Sequence, residues 1–398
     1  MHRFQNCIIL LTVLFSALTF ISCDDTGDRT LAAKYNQAAH DARATSDGGC
    51  IVVGETVTAG GSMPDFYVVK LDSTGRVQWS KTEGGSRLDS ACSVRVTGDG
   101  GYIVAGVTES SGPGDPNNYG SYGNMMVVKY GPTGTKQWLN VYGNELYEGC
   151  AEVVQTSDGG YALGGYTHSF GNGQFYLVKL NSAGAMEWDE VYGGEETTEV
   201  AYSLKETRDG GFILAGSTIV NGRALAMTVK TNSLGVEQWT RTYGDSSVFN
   251  WIRSIVETAD GSFVTAGYKG TDIMPNNDCN AWVMKLDASG ALAWEQTIGG
   301  SRLDIASSIQ ADGTGYVFAG ETRSFGSGNE YESDIWAVKL DAAGAQVWSR
   351  TYGGADNDTG AAIDLLSGGG YVLAGDTMTG LANGYDIYVA RLDSSGNN

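Results

Sequence analysis

The chain has 398 residues, of which 58 are glycine and only 18% are charged, while 10% are aromatic. This composition excludes a disordered, weakly hydrophobic chain and predicts a globular protein rich in tight turns. The 25 basic and 46 acidic side chains give a net charge of −21, and a surface this negative repels phosphate backbones, which argues against nucleic acid as a partner.

The amino terminus is predicted to be a secretory leader. Arg3 precedes the apolar run 8–21, which is too short to span a bilayer comfortably. Ser22 and Cys23 then resemble the processing site of bacterial lipoproteins, which implies cleavage before Cys23 and acylation of its sulfur. The alternative is an ordinary cleaved leader with a chance cysteine. We expect a signal peptide at 1–22, a lipidated cysteine and tether at 23–29, and a folded domain at 30–398.

One stretch is repeated through the rest of the chain. The sequence Lys-Leu-Asp-Ser-Thr-Gly-Arg-Val-Gln-Trp at 70–79 returns six more times in varied form. A glycine follows five residues after each basic residue, and a tryptophan follows four residues after each of the first six glycines. The basic residues are Lys70, Lys129, Lys179, Lys230, Lys285, Lys339 and Arg391.

Each repeat is predicted to contain four strands. In the second repeat, 91–97, 102–106 and 125–129 read as strands, and the fourth strand carries Trp138. The Asp-Gly-Gly turn at 99–101 is typical of a tight hairpin, because glycine adopts positive φ without strain. Successive tryptophans lie 50–59 residues apart, and four strands in such a period predict the blades of a β-propeller.

The chain ends are predicted to meet in one blade. The seventh repeat supplies three strands, and residues 30–35 match 347–352, with Leu31 in the place of Trp348. An N-terminal strand would then complete the last blade and pair an edge that is otherwise open. We therefore expect an all-β, seven-bladed propeller of four-stranded antiparallel blades.

The repeat resembles a known bacterial family. Asp-Gly-Gly-Tyr-Ile-Val-Ala-Gly at 99–106 and the spacing Lys-Leu-Asp-x-x-Gly-x-x-x-Trp at 70–79 are similar to the bacterial seven-bladed β-propeller repeat. The resemblance covers 30–398 and implies an extracytoplasmic propeller with no settled activity. A weaker likeness to quinoprotein repeats rests on Asp-x-x-Gly before tryptophan, but that family's redox site is not matched because the sequence has no vicinal cysteines. We therefore predict no cofactor.

Several repeated residues have structural interpretations. We expect the tryptophans to pack between blades and the lysines to be solvated strand ends. Cys92 and Cys150 lie in equivalent strands of adjacent repeats, where either a disulfide or two free buried thiols fits.

Ligand binding is predicted on one face. The first strand of each blade, rich in small residues, should line the axis, so the blade connections and the longer loops share one face, which we call the loop face. The tight glycine turns occupy the opposite face, which we call the turn face. The longer loops are 109–123, 168–173, 219–223, 269–279, 323–333 and 378–385.

Carboxylates recur in the blade connections, namely Asp89, Glu148, Glu199, Asp304 and Asp358, with Asn250 in the remaining place. One interpretation is structural, since such side chains accept backbone hydrogen bonds at strand ends. The other is a sugar or cation site at the loop face, with calcium as the ion and Asp89, Asp304 and Asp358 as candidate ligands.

Aromatic residues that do not repeat are the second set of candidates. Tyr119, Tyr122, Tyr147 and Trp251 stand in loop-face connections, where an exposed ring can stack on a sugar or bind a protein. Packing within the domain is the alternative for each.

The preferred function is non-enzymatic. Three histidines, one of them in the predicted leader, exclude a three-histidine metal site. We expect a lipid-anchored protein of the bacterial cell envelope that binds a glycan or a protein. The alternatives are a carboxylate-dependent glycoside hydrolase or lyase and a structural scaffold of a surface complex.

Overall fold

The computed structural model describes residues 29–31, 36–57, 63–112, 123–194, 196–271, 279–326, 331–379 and 384–398. The predicted leader, Cys23, Tyr119 and Tyr122 lie outside these residues. Within the described ranges, no helix is long and apolar enough to cross a membrane.

The strands form seven four-stranded antiparallel sheets, which are the blades. The first strand, β1 (Arg29–Leu31), belongs to the last blade. Blade 1 contains β2 (Gln37–Ala44), β3 (Cys50–Val57), β4 (Pro64–Leu71) and β5 (Val77–Glu83). Blade 2 contains β6 (Asp89–Val96), β7 (Tyr102–Thr108), β8 (Asn124–Tyr130) and β9 (Lys136–Tyr142). Blade 3 contains β10 (Glu148–Gln155), β11 (Tyr161–Thr167), β12 (Gln174–Leu180) and β13 (Met186–Tyr192).

The remaining blades repeat this order. Blade 4 contains β14 (Thr198–Glu206), β15 (Phe212–Val220), β16 (Arg223–Thr231) and β17 (Glu237–Tyr243). Blade 5 contains β18 (Phe249–Glu257), β19 (Phe263–Gly270), β20 (Cys279–Leu286) and β21 (Leu292–Ile298). Blade 6 contains β22 (Asp304–Ala311), β23 (Gly315–Thr322), β24 (Asp334–Asp341) and β25 (Gln346–Tyr352). Blade 7 contains β26 (Asp358–Leu365), β27 (Tyr371–Thr379), β28 (Gly384–Leu392) and β1.

The predicted fold and its closure by an N-terminal strand are confirmed, but the predicted register of that strand is wrong. Leu31 lies opposite Ile387. The equivalent residue in blade 6, Ile335, lies opposite Tyr352 rather than Trp348. Leu31 thus takes the place of the tyrosine, four residues from the predicted place. A shift by an even number of residues preserves the alternation of the two strand faces, so the hydrophobic pattern does not distinguish the registers.

The six repeated tryptophans join each blade to the next, as predicted. Each packs on the aromatic residue after the first hairpin turn of the following blade, with ring centroids 5.6–6.3 Å apart, in the pairs Trp79–Tyr102, Trp138–Tyr161, Trp188–Phe212, Trp239–Phe263, Trp294–Tyr316 and Trp348–Tyr371. The same ring lies against the glycine in the turn that follows the third strand of the next blade. A Cβ built on Gly134 would come within 2.7 Å of Trp79.

The prediction that the lysines are solvated is wrong. Lys70 and Lys129 are 2% and 3% exposed. Each of the six pairs with an aspartate in the first hairpin turn of its own blade, at 2.7–3.1 Å, in the pairs Lys70–Asp47, Lys129–Asp99, Lys179–Asp158, Lys230–Asp209, Lys285–Asp260 and Lys339–Asp312. Burial alone would raise the pKa of Asp99, but hydrogen bonds from Thr97, Lys129 and a backbone N–H lower it to about 2. A charge removed from water is tolerated when it is paired and hydrogen-bonded in this way.

The contact between tryptophan and glycine can be tested with two glycines of blade 4. Gly235 and Gly210 both have a φ of +78°, but a new Cβ would lie 2.8 Å from Trp188 at Gly235 and 4.0 Å from its nearest neighbour at Gly210. Gly210→Ala should lower the free energy of unfolding by about 1–2 kcal/mol, the cost of the left-handed backbone. Gly235→Ala should cost about 1–3 kcal/mol more, because the added methyl group overpacks the blade contact.

Urea unfolding of the two variants and the unchanged protein measures this difference. Equal losses of stability in the two variants would show that the tryptophan contact does not constrain the turn.

Candidate functional site

The axis of the propeller is lined by one extra residue from each first strand. The register between the first and second strands shifts at the same point in every blade, for example between Ala91 and Ser93 in blade 2. Such a bulge redirects the extra side chain away from the strand's regular alternation. The seven bulged residues are His40, Cys92, Ala151, Tyr202, Arg253, Ser307 and Ala361. All seven line one cavity of about 430 Å³, which we call the axial cavity.

The bulge position breaks the repeat. The residue that follows it is serine in four blades, Ser93, Ser203, Ser254 and Ser308, and each serine hydroxyl accepts a hydrogen bond from a backbone N–H of the next blade at 3.2–3.3 Å. This repeated contact fixes the spacing of the first strands around the axis. The bulged residue takes no part in this repeated contact and differs chemically from blade to blade, although His40 contacts the carbonyl of Ala91 in the next blade at 2.9 Å.

A chain of alternating charges lies on the turn side of the axial cavity. Arg43 and Arg95 bind the two carboxylate oxygens of Asp41 at 2.7 and 2.9 Å. Arg95 also binds Glu152, which in turn binds Lys205. Asp41 and Glu152 accept backbone N–H groups of the next blade at 3.0 and 2.7 Å, in the manner of the serines. Burial lowers the pKa of Lys205, and the paired charges of this network hold blades 1 to 4 together.

Aromatic rings form the wall of the cavity on blades 3 to 5. Tyr147 stacks on Tyr166 with centroids 5.7 Å apart. Tyr202 contacts Trp251 at 5.7 Å, and Trp251 stacks on Tyr268 at 6.0 Å. Tyr147, Tyr166 and Tyr202 line the cavity directly. This arc therefore offers ring faces and phenol hydroxyls at the loop-face side of the axis.

Arg253 lies among these rings. Its guanidinium carbon is 4.8 Å from the ring centre of Tyr202 and 5.8 Å from that of Tyr268, within the range of cation–π attraction. Burial opposes its charge, but the nearby Tyr268, Tyr202 and Glu321 outweigh burial and raise the pKa of Arg253. The guanidinium forms no ion pair with any residue that the structure describes.

Two N–H donors in this arc are unsatisfied. The Nε of Arg253 and the Nε1 of Trp251 are both buried and have no hydrogen-bond acceptor among the described residues. Buried donors in folded proteins are nearly always paired, so two unpaired donors on one strand, β18, are unusual, and of these two residues Arg253 lines the axial cavity.

Carboxylates occupy the opposite arc. Glu55, Glu321 and Asp376 each follow a repeated glycine of the second strand in blades 1, 6 and 7, the same place that holds Tyr166 and Tyr268 in the aromatic arc. Asp376 accepts the backbone N–H of Ala39, a residue of the cavity wall, at 2.6 Å. Burial raises the pKa of Asp376 to about 7, although this hydrogen bond and the charge of His40 oppose the shift.

The carboxylates predicted from the blade connections have a different setting. Asp89, Asp304 and Asp358 are fully buried, and each accepts the N–H of the glycine four residues before it, at 2.9, 2.7 and 2.6 Å. Ser110 donates to the same oxygen of Asp89 at 2.7 Å, while the other oxygen of Asp89 has no partner among the described residues. This geometry supports the interpretation that these carboxylates are structural.

The other predicted residues are only partly brought together. Tyr147 lies in the cavity wall, and Trp251 lies behind Tyr202 in the same arc. Tyr119 and Tyr122 are outside the described residues. The sequence did not reveal Tyr202 and Arg253, because the hydrophobic pattern does not specify which residue of a first strand is bulged. It did not reveal Tyr166 and Asp376, because each lies on a second strand at a place that other blades fill with different residue types. The residue directly before the serine that four blades share was the usable signal for the bulge.

No metal cluster and no disulfide is formed in the described part of the chain. No group of three or more His, Cys, Asp and Glu residues there is arranged to hold a metal ion. Cys50, Cys92, Cys150 and Cys279 are free thiols. Burial raises the pKa of Cys92 to about 12, so this thiol in the cavity wall stays protonated at neutral pH.

Comparison with known proteins shows the fold and no family. No protein-family model matches the chain, and no curated protein matches it significantly. Among solved structures, the Pan2 WD40 domain of Neurospora crassa has a TM-score of 0.54 at 10% identity, covering 92% of this chain and 91% of that one. A Bacteroides uniformis protein provisionally assigned as a 6-phosphogluconolactonase has a TM-score of 0.53 at 12% identity, covering 88% and 94%.

A third similar structure is that of Sqt1 from Chaetomium thermophilum, bound to the N-terminus of ribosomal protein L10. It has a TM-score of 0.52 at 10% identity and covers 90% of this chain and 98% of that one. At these identities the likenesses show the propeller fold alone.

The buried carboxyl of Asp376 should make stability depend on pH. Its pKa is raised from 3.8 to about 7 in the folded state, so the folded state binds the proton more tightly than the unfolded chain. The contribution to stability is therefore full below about pH 4 and is lost as the pH rises toward 7. Asp376→Asn keeps an acceptor for the Ala39 N–H without ionising, and it should flatten the decline in unfolding free energy between pH 4 and 7.

Denaturant unfolding at several pH values measures this slope. Asp245→Asn is the control, because Asp245 is an aspartate whose pKa is lowered, so it is ionised throughout this range. An unchanged slope in Asp376→Asn would show that this carboxyl is ionised in the folded protein at neutral pH.

Proposed function

We propose that the protein is a lipid-anchored, extracytoplasmic binding protein of the bacterial cell envelope that holds a glycan or a protein at the loop-face mouth of its axial cavity. The observation that supports this is the broken symmetry of the bulge ring. Residues that hold blades together repeat from blade to blade, whereas the residues facing the cavity do not. Selection for packing alone gives no reason for a tyrosine, an arginine and a histidine at equivalent places on the axis.

The chemistry of the cavity suits recognition. Its volume lies within the range of about 300–1,000 Å³ that is common for small-molecule sites. Tyrosine and arginine are enriched at binding sites because they combine a large rigid contact area with hydrogen-bonding groups. Protein binding is also within the reach of the fold, since the structure of Sqt1 contains a bound segment of another protein.

The extracytoplasmic address rests on the sequence. The apolar run 8–21 and the Ser22-Cys23 pair support secretion and acylation of Cys23. The acidic composition of the chain leaves attachment to an anionic membrane surface to the lipid rather than to charge.

A hydrolase or lyase is the second candidate, and Asp376 is the observation that favours it. A carboxyl whose pKa is raised to about 7 by burial, and which accepts the N–H of the cavity-wall residue Ala39, has the property of a general acid. Such an enzyme requires a second carboxylate across the reacting bond, and Glu55, which also acts on Asp376 electrostatically, is the nearest candidate.

Binding can be tested on an array of glycans and envelope polysaccharides, with calcium, with chelator, and with product analysis of each spot. Saturable binding without turnover is the expected result. Tyr202→Ala should weaken binding about 10-fold or more, because it removes a ring from the cavity wall.

Two exposed residues provide controls for that variant. Tyr331→Ala removes an exposed ring from the outer part of the loop face, and Leu234→Ser alters an exposed residue of the turn face. Neither should change binding. Loss of binding in Leu234→Ser with Tyr202→Ala unaffected would move the site to the turn face, and shortened products would establish the enzyme.

The lipid anchor has its own test. Cys23→Ala, expressed in a bacterium that processes lipoproteins, should move the protein from the detergent phase to the aqueous phase of a Triton X-114 extraction, because the acceptor sulfur is gone. Cys7→Ala, within the predicted leader, is the control and should remain in the detergent phase. Equal partitioning of unchanged protein and Cys23→Ala would rule out acylation at this cysteine.

A further inference from the structure

From the contacts of Arg253, we propose that the axial cavity recognises a carboxylate-bearing sugar, with Arg253 binding the carboxylate and the rings of the aromatic arc packing against the sugar. This inference rests on the proposed binding function and specifies its ligand class.

The first step concerns the charge of Arg253. The other cations at the axis are neutralised within the protein: Arg43 and Arg95 bind Asp41, and Lys205 binds Glu152. Arg253 is held by the rings of Tyr202 and Tyr268 instead, and it forms no ion pair with a described residue. Glu321 acts on it electrostatically, but the hydrogen bond of that carboxyl goes to Ser333. A guanidinium in the wall of a cavity without its own carboxylate is suited to bind an anion of the ligand.

The second step concerns geometry. A guanidinium binds a carboxylate through two parallel N–H donors, and aromatic rings on its faces fix the plane in which those donors lie. The Nε of Arg253 is one donor without an acceptor, and the Nε1 of Trp251, two residues away on β18, is another. A carboxylate in the axial cavity can accept hydrogen bonds from the guanidinium of Arg253, which lines the cavity, whereas Trp251 lies behind Tyr202 and outside the cavity wall.

The third step concerns the rest of the ligand. Tyr147, Tyr166 and Tyr202 present rings to the same cavity, and their hydroxyl groups can bond to sugar hydroxyls. The acidic residues Glu55 and Asp376 lie on blades 1 and 7, across the axis from these rings. A ligand with one sugar ring and one carboxylate matches this arrangement, in which a cationic aromatic arc faces an acidic arc.

The charge of the whole protein limits the ligand's size. At −21 the chain repels a long polyanion, and this repulsion is screened by salt. A single acidic sugar or an acidic terminal residue avoids most of it. Binding should therefore keep or gain strength as ionic strength rises, the opposite of non-specific electrostatic attraction.

The test uses the purified protein and pairs of probes that differ only in charge. The acids are D-glucuronate, D-galacturonate and N-acetylneuraminate, each compared with its methyl ester by ligand-observed NMR titration at two salt concentrations. At least one acid should bind about 10- to 100-fold more tightly than its ester, the range expected for a charged hydrogen-bonded contact. Arg253→Gln should abolish this preference.

Two further variants keep the result interpretable. Arg241→Gln is the matched control, since Arg241 also stacks on a ring, that of Trp239, but on the outer strand β17. It should leave the preference unchanged. Arg253→Lys retains the charge but not the paired donors, and it should restore only part of the preference.

The outcomes separate this inference from the function on which it rests. Equal affinity for acid and ester overturns the carboxylate inference. So does binding of a neutral glycan or a peptide at Tyr202 when none of the acids binds, although the proposed binding function then stands. Absence of any ligand that depends on Tyr202, across these probes and the array, overturns both.

Discussion

The contact between the tryptophan of one blade and the turn glycine of the next is the constraint on which this structure depends. The ring lies where a Cβ of that glycine would be, so the two blades approach more closely than any other residue would permit. The tyrosine at the end of the same strand adds a second link: Tyr192 donates its hydroxyl to the carbonyl of Gly235 at 2.6 Å, and Tyr352 does so to Gly396 at 2.7 Å. Repeated around the ring, these contacts set the angle between blades and hence the diameter of the axis.

Because the outer contacts fix the angle between blades, residues at the axis contribute less to holding the blades together. In six of the seven blades the side chain after the bulge accepts a hydrogen bond from a backbone N–H of the next blade, as Ser203 does from Ile255 at 3.2 Å. The bulged residue is then the position at which a side chain can change with little loss of stability. This explains how alanine, tyrosine and arginine occupy equivalent places in one domain.

The sequence was sufficient to predict the fold and insufficient to predict the site, for physical reasons. The spacing from Asp72 through Gly75 to Trp79 reflects a turn and an inter-blade contact that every blade needs, so it repeats and can be read. The lysines were misjudged because their partners, such as Asp47 for Lys70, are separated from them by a whole strand, β3 in this case, and come close only after the hairpins form. The register of β1 was misplaced because its short pattern fits both alignments. Tyr202 and Arg253 were missed because a bulge adds a residue to one strand without changing the alternation on either side of it.

The charges of the axis show why one arginine differs from the rest. Removing a charge from water is costly, and the protein offsets this for Arg95 with Asp41 and Glu152. For Arg253 the compensation comes from Tyr202 and Tyr268, whose ring faces stabilise a cation while the Nε donor keeps no acceptor among the described residues. A carboxylate partner would have neutralised the charge and filled that donor together. In the proposed site, the use of rings rather than a carboxylate leaves the charge of Arg253 to be neutralised by the ligand.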